Sequence, residues 1–326
     1  MHPCSIRSAE WYWTQTRMKV YFFAVAIAAM ALALPGVSQA PDSSTSVKRP
    51  PIVGVAGIGL RTADMAASRK FYTGFLGLEE LSGVKRPVDA DPTAVSFEVN
   101  ERQIIEILPG LADQNQDRLI YVAFETTDAE QLRTYLAGQG VTVPEKVEAS
   151  ADGTRSFSMT APERHVVKFV QFAAGVPKEG GSNPGPDKRV AKHMVHVGYI
   201  VNDPTAQNHL FRDILGFQVA WHGGMKDEDT DWVNMRVPEG HDWLEYMLNV
   251  HNPDPARLGN VNHIGLGVAS VKECYETLLQ RGSSPRKPLI GRDGKWQVAL
   301  VSPDLTRVEM MEFEPVETPC CSPMLP

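Results

Sequence analysis

The chain repeats itself, and the repeat limits the folds open to it. Shifting the first half by 139 positions lays Asp64 on Asp203, Leu76-Gly77-Leu78 on Leu215-Gly216-Phe217 and Glu106 on Glu245. Each half repeats again internally, giving four modules that open on apolar, strand-like runs over 55–62, 120–127, 195–202 and 263–270. A helical pattern follows each run, at about 64–76, 128–139, 203–215 and 271–281. Asp203 and Ser270 are expected N-caps, and Gly77, Gly140, Gly216 and Gly282 are placed to end the helices in a left-handed conformation. Further strands complete each βαβββ module. The apolar face of one such sheet cannot bury itself. Pairing two modules curls their strands into a half-open barrel whose inward side chains line a cup. The expected class is α+β: tandem βαβββ modules, four in all, forming two half-barrel domains.

The last two modules share a second regularity. Val195-His196-Val197-Gly198 and Asn262-His263-Ile264-Gly265 each set a histidine near the start of the first strand. Each module then closes on a strand carrying a glutamate, Trp243-Leu244-Glu245-Tyr246-Met247 and Arg307-Val308-Glu309-Met310-Met311. The spacings nearly agree, with 49 residues from His196 to Glu245 and 46 from His263 to Glu309. One strand histidine alone is more often a structural residue than a ligand, and one strand glutamate more often faces water. Recurrence of both types at equivalent places in two modules points instead to four ligands, His196, Glu245, His263 and Glu309, around one divalent cation. Two imidazoles and two carboxylates suit Zn, Ni, Fe, Mn or Co and do not choose among them. By strand alternation Trp243 and Met247 share the face of Glu245, and Arg307 and Met311 that of Glu309, which makes these four the candidate substrate pocket.

The first half serves as an internal comparison. Its equivalent positions are Gly57, Glu106, Tyr121 and Lys168. Glycine has no donor atom and lysine would repel a cation, so the amino-terminal copy is expected to lack a metal.

Tandem βαβββ modules with His-x-Gly in the first strand and Glu in the last resemble the vicinal oxygen chelate superfamily. That superfamily includes glyoxalase I, extradiol dioxygenases, and fosfomycin and bleomycin resistance proteins. The segment Ser302-Pro303-Asp304-Leu305-Thr306-Arg307-Val308-Glu309-Met310 is similar to its closing strand, with Leu305 where glycine is commoner. The resemblance implies a metal site at His196, Glu245, His263 and Glu309, with the glyoxalase I pattern the nearest. It implies a cation that polarises a carbonyl and stabilises an enediolate, with Glu245 or Glu309 as catalytic general base in lyase or isomerase chemistry on a small vicinal-oxygen substrate. Extradiol-type Fe(II) dioxygenases use two histidines and one glutamate, so a fourth ligand at Glu245 counts against that alternative, for which His222 and His241 are candidate helpers. A ligand-sequestering resistance protein needs no metal ligands.

The rest of the chain bounds compartment and partners. Arg17-Met18-Lys19, an apolar run to Leu34 and small residues at Ser38 and Ala40 read as a secretory signal over 1–40, with Met18 a candidate true start. The expected location is secreted or periplasmic, with no membrane association after cleavage, which argues against a cytosolic glutathione adduct as substrate. A net charge of −7 argues against a nucleic-acid partner. The expected organisation is a flexible leader at 41–51, a metal-free domain at 52–172, a Gly/Pro-rich linker at 173–192, a metal-bearing domain at 193–315 and a tail at 316–326. Cys274 belongs to a helix core, whereas Cys320-Cys321 in the tail, which could pair with each other only with strain, are expected to stay reduced, cross-link outward or bind metal. A small-molecule substrate is the expected partner, and monomer and homodimer both fit.

Overall fold

In a computed structural model, which describes residues 47–81, 93–176, 188–254 and 257–325, the halves form two eight-stranded mixed sheets. The signal segment, most of the leader and the centre of the linker lie outside the described residues. The first half holds β1 (Ile52–Thr62), β2 (Glu79–Leu81), β3 (Val95–Asn100), β4 (Gln103–Pro109), β5 (Leu119–Thr126), β6 (Glu148–Ala149), β7 (Arg155–Thr160) and β8 (Val166–Gln171). The second holds β9 (His193–Ile200), β10 (Gln218–Gly223), β11 (Trp232–Arg236), β12 (Trp243–Met247), β13 (His263–Val268), β14 (Leu289–Ile290), β15 (Trp296–Val301) and β16 (Arg307–Glu312). Strand order is β2-β3-β4-β1-β5-β8-β7-β6 in one sheet and β10-β11-β12-β9-β13-β16-β15-β14 in the other, so the two orders correspond strand for strand. In each, the opening strands of its two modules lie antiparallel at the centre, and each runs parallel to the closing strand of its own module.

Helices follow each opening strand: α1 (Met65–Arg69), α2 (Ala129–Gly138), α3 (Pro204–Asn208) and α5 (Val271–Gln280), with a short α4 (Leu258–Val261) before β13. Asp64, Asp128, Asp203 and Ser270 cap their first turns by accepting a backbone N–H three residues on. α1 and α3 widen into π-helical turns, Lys70–Phe75 and His209–Ile214, where Leu76 N–H reaches the Phe71 carbonyl and Leu215 N–H that of Leu210. Gly77, Gly140, Gly216 and Gly282 all take positive φ, which frees the chain to leave the helix. The helices' apolar faces pack on the sheets in one continuous core that joins both halves, with Phe124 of the first touching Phe211 and Phe217 of the second.

The second sheet is curled. Laid flat, four interstrand steps of about 4.8 Å would separate β12 from β15. Yet the Lys295 ammonium, just before β15, lies 5.3 Å from the centre of the Trp243 ring on β12. The tail completes the curl. Val316 and Cys320 N–H donate to Gly294 and Arg292 carbonyls in the β14–β15 turn. Trp221 Nε1 donates to the Cys320 carbonyl at 3.1 Å, Ser322 Oγ pairs with both backbone groups of His222, and Leu325 N–H donates to Ala220. A segment with no strand of its own thus ties β10 to the turn beside β14, the two edges of the sheet. Within it Cys320 and Cys321 are joined to each other as a disulfide, contrary to the expectation of reduced, outward-linked or metal-bound thiols, and Cys274 is buried and free.

Candidate metal centre

Strand register alone assembles the centre. Across the four middle strands of the second sheet, one row reads Trp243–His196–Gly265–Glu309 and the next Glu245–Gly198–His263–Arg307. Each row holds one histidine, one glycine and one glutamate, and a large residue closes it. The glycines are where the rows meet. A Cβ on Gly265 would sit 2.0 Å from the His196 ring, and one on Gly198 would sit 2.2 Å from the His263 ring. The glycine of His-x-Gly in each module therefore makes room for the other module's imidazole. That reciprocity explains why the motif comes as a pair.

The donor atoms converge. His196 Nε2 and His263 Nε2 are 3.1 Å apart, and Glu245 Oε2 is 2.8 Å from His263 Nε2 and 4.0 Å from His196 Nε2. Glu309 Oε2 stands slightly back, 3.7 and 3.9 Å from the two imidazoles. His196, Glu245 and His263 form the tightest mutual cluster. Donors bound to one cation at roughly 2.0–2.2 Å lie about 2.8–3.6 Å apart, from octahedral neighbours to tetrahedral ones, so the observed set spans that spacing and slightly exceeds it.

Protonation sharpens the fit. His263 Nδ1 lies 2.7 Å from the Val261 carbonyl, which can only accept, so Nδ1 carries the hydrogen. Burial, reinforced by the Arg307 charge, pushes the His263 pKa down to about 3, so the ring is neutral and Nε2 bears a lone pair. That lone pair faces the Glu245 carboxylate at 2.8 Å, and two acceptors at this range repel unless a positive charge lies between them. His196 is likewise held neutral, its pKa pushed to about 3 chiefly by burial. Its ring stacks on Trp243 with centroids 4.9 Å apart, and its buried Nδ1 has no hydrogen-bond partner. Neutral imidazoles beside carboxylates are what a divalent cation requires of its ligands.

All four residues proposed from the repeat as ligands are therefore brought together, with their carboxylates slightly open to solvent. The four pocket candidates divide. Trp243 and Met311 are buried and pack with Val195, Met247 is buried on the face of Glu245, and Arg307 flanks His263. Of the proposed helpers, His222 is tied through its backbone to the tail and His241 lies in an exposed loop. Three further residues carry no signal in the repeat. Asn234 faces Glu245 across β11–β12, Lys295 covers Trp243, and Asp293 precedes it in the same turn. Burial, helped by the Glu309 and Glu245 charges and opposed by Lys295, raises the Asp293 pKa to about 6. Alternation along β11 would have put Asn234 on the correct face only once its partner strand was known.

The first sheet shows what replaces such a centre. Its register aligns Gly57 with Ala123 and Gly59 with Glu106 and Tyr121, and sets Lys168 beside Ala123. Tyr121 donates to Glu106 Oε2 at 2.7 Å, and the Lys168 ammonium lies 4.9 Å from the Tyr121 ring centre. A phenol and an ammonium occupy the cup beside the one carboxylate this half retains.

A family profile described as the Glyoxalase/Bleomycin resistance protein/Dioxygenase superfamily matches residues 54–169 and 193–314, one match per half. No curated protein matches the chain in sequence. Among solved structures, the chain is similar to the 2,3-dioxygenase LapB from Pseudomonas sp. KL28, with a TM-score of 0.63 and 14% identity over 82% of this chain and 98% of that one. A Mn(II)-bound glyoxalase from Novosphingobium aromaticivorans gives a TM-score of 0.61 and 18% identity, over 81% and 83%. A homoprotocatechuate 2,3-dioxygenase variant from B. fuscum gives 0.60 and 17%, over 81% and 72%.

Proposed function

The chain belongs to the Glyoxalase/Bleomycin resistance protein/Dioxygenase superfamily, and from that premise we propose that it is an exported, metal-dependent enzyme of lyase or isomerase type, acting on a small substrate that offers two neighbouring oxygens. The observation that carries this reading is the approach of Glu245 Oε2 to the lone pair of a neutral His263 at 2.8 Å, inside a cluster that also holds His196 and Glu309. His196, Glu245, His263 and Glu309 are the ligands. A bound divalent cation supplies Lewis acidity toward a carbonyl oxygen of the substrate. Glu309 Oε2, set back from both imidazoles, is the group placed to take a proton from the adjacent C–H, while Glu245 holds its position beside His263. The Val261 carbonyl keeps His263 in the required tautomer, and Trp243 fixes the His196 ring by stacking. Buried Trp243, Met247 and Met311 restrict water around the reacting atoms.

A second reading has its own support. His196, Glu245 and His263 make the tightest set, and two histidines with one carboxylate is the ligand pattern of Fe(II) oxygenases. The similar structures include both a glyoxalase and 2,3-dioxygenases. Metal analysis of the purified protein, followed by oxygen uptake with catechols, separates the readings. Stoichiometric divalent metal without oxygen consumption is expected. Oxygen uptake with a yellow ring-cleavage product would establish the dioxygenase, and failure to hold metal after reconstitution would leave a ligand-sequestering protein. Export is tested apart, by mass spectrometry of the mature amino terminus: a chain that still begins at Met1 or Met18 contradicts cleavage.

A further inference from the structure

We infer that Arg307 and Lys295 form an anion-binding subsite beside the donor cluster, and that the substrate carries a carboxylate in addition to its two chelating oxygens. The inference rests on the metal-centre reading and names the substrate class for that same site.

Arg307 is the direct neighbour of His263 in the β13–β16 register and shares the face of Glu309 by alternation. Its Nε is buried without a hydrogen-bond partner, and among the described residues no carboxylate pairs with its guanidinium. Lys295 is 6% exposed, and its ammonium lies over the ring of Trp243, the residue on which His196 stacks. Both cations bear electrically on the His196 imidazole. Burying a donor or a charge without a partner is costly, so the orphaned Arg307 Nε beside the buried Lys295 suits an anion there.

The carboxylates nearby do not meet that need. Glu245 and Glu309 are committed to the donor cluster, and a divalent cation would neutralise them. Asp293 remains, but its Oδ1 already accepts from Lys295 N–H and from the Gln297 side chain, each at 3.2 Å. With the cation bound, Asp293 and the exposed Glu314 bear on Lys295, whereas no carboxylate among the described residues pairs with Arg307, whose guanidinium is left beside the donor cluster without a counter-ion. Asn234 adds an independent sign of a ligand. It is 3% exposed, sits opposite Glu245, and its Oδ1 has no partner, which suits it to accept from a substrate hydroxyl. The internal comparison agrees. In the first sheet Val167 faces Val122, so the position beside Tyr121 that corresponds to Arg307 is Val166, an apolar residue. An arginine at that register position occurs only in the half that holds the donor cluster, although Lys168 stands one row away in the first.

The test uses the full-length protein loaded with Co(II), whose visible absorption reports both metal binding and ligand approach. Two matched pairs serve as probes, 3,4-dihydroxybenzoate against catechol and tartronate against lactate. In each pair the first member carries one more carboxylate. The acid is expected to bind about ten-fold or more tightly than its partner, the scale of one charge-assisted contact. In Arg307→Met and in Lys295→Met that preference falls to within about two-fold, while cobalt stoichiometry, thermal midpoint and affinity for catechol or lactate stay near wild type. Arg307→Lys should restore part of the preference. Cobalt bound at one equivalent with no preference in either pair, or a preference that survives both substitutions, overturns the subsite alone. Absence of cobalt binding overturns the metal centre, and the subsite with it, before any probe is added.

Discussion

At the scale of single residues, the centre holds its donors in a state they would not keep in water. His196 and His263 have pKa values near 3 in the fold, against about 6.5 for an exposed imidazole. Between those values the unfolded chain binds protons that the folded chain refuses. Folding stability is therefore intact above the ordinary imidazole value and declines as pH falls toward 3, by about 1.4 kcal/mol per pH unit for each histidine. Metal-free protein melted between pH 7 and 4.5 should show this slope, and replacing both histidines with glutamine should flatten it; an unchanged slope would locate the acid sensitivity elsewhere. Glu245→Gln tests the lone-pair conflict with opposite signs. Its amide can donate to His263 Nε2, so the metal-free variant should melt at or above wild type, while metal affinity drops by roughly ten- to hundred-fold. A metal-free variant that melts well below wild type would mean the carboxylate is held by something other than a cation. The four ligand candidates were legible because each type occurs twice at matching positions. Asn234, Asp293 and Lys295 occur once, and two of them sit in a turn without periodicity, so no repeat could mark them.

At the scale of elements, the expected caps Asp203 and Ser270 and the four left-handed glycines located the helix after each opening strand, since both are local chemistry, whereas the short α4 carried no such signal. The π-helical turns were not foreseen, because they depend on how Phe71 and Phe211 seat in the core rather than on any one residue's preference. The tail was likewise opaque. Its backbone bonds run to Ala220, His222, Arg292 and Gly294, all distant in sequence. The paired central strands offer the sharpest prediction. Gly265→Ala would force a methyl group to within 2.0 Å of the His196 ring, and Gly198→Ala would do the same to His263. Each should abolish metal binding and cost about 1–3 kcal/mol of stability, as overpacking does. Gly138→Ala, in open space at the end of α2, is the matched control and should leave both unchanged. Metal retained by Gly265→Ala would show that His196 is not held where the glycine admits it.

At the scale of the whole molecule, the sequence showed two copies but not how they join. The join depends on two aspartates that strand patterning treats as ordinary turn residues. Asp242, buried just before β12, accepts from Val55 N–H at 2.8 Å and from Gln103 Nε2 at 3.4 Å, and meets His193 Nε2 at 2.5 Å. Asp304, in the turn before β16, accepts from Ala63 N–H at 3.0 Å and from the Thr62 hydroxyl, while the fully buried Arg118 donates to its carbonyl. Each aspartate of the second half thus satisfies the backbone of β1 or the turn after it in the first half. Asp242→Ala leaves the Val55 N–H without its acceptor and His193 without its carboxylate. It should cost about 2–4 kcal/mol, since breaking a buried network exposes the full desolvation cost of the groups left behind. Because the apolar core runs through both halves, by way of Phe124, Phe211 and Phe217, the variant should still melt in one cooperative transition, displaced downward by several degrees. Calorimetry distinguishes the cases. A single lower transition means that the first half is a structural partner of the half that bears the donor cluster. Two resolved transitions would mean that the halves fold independently and that Asp242 only tethers them.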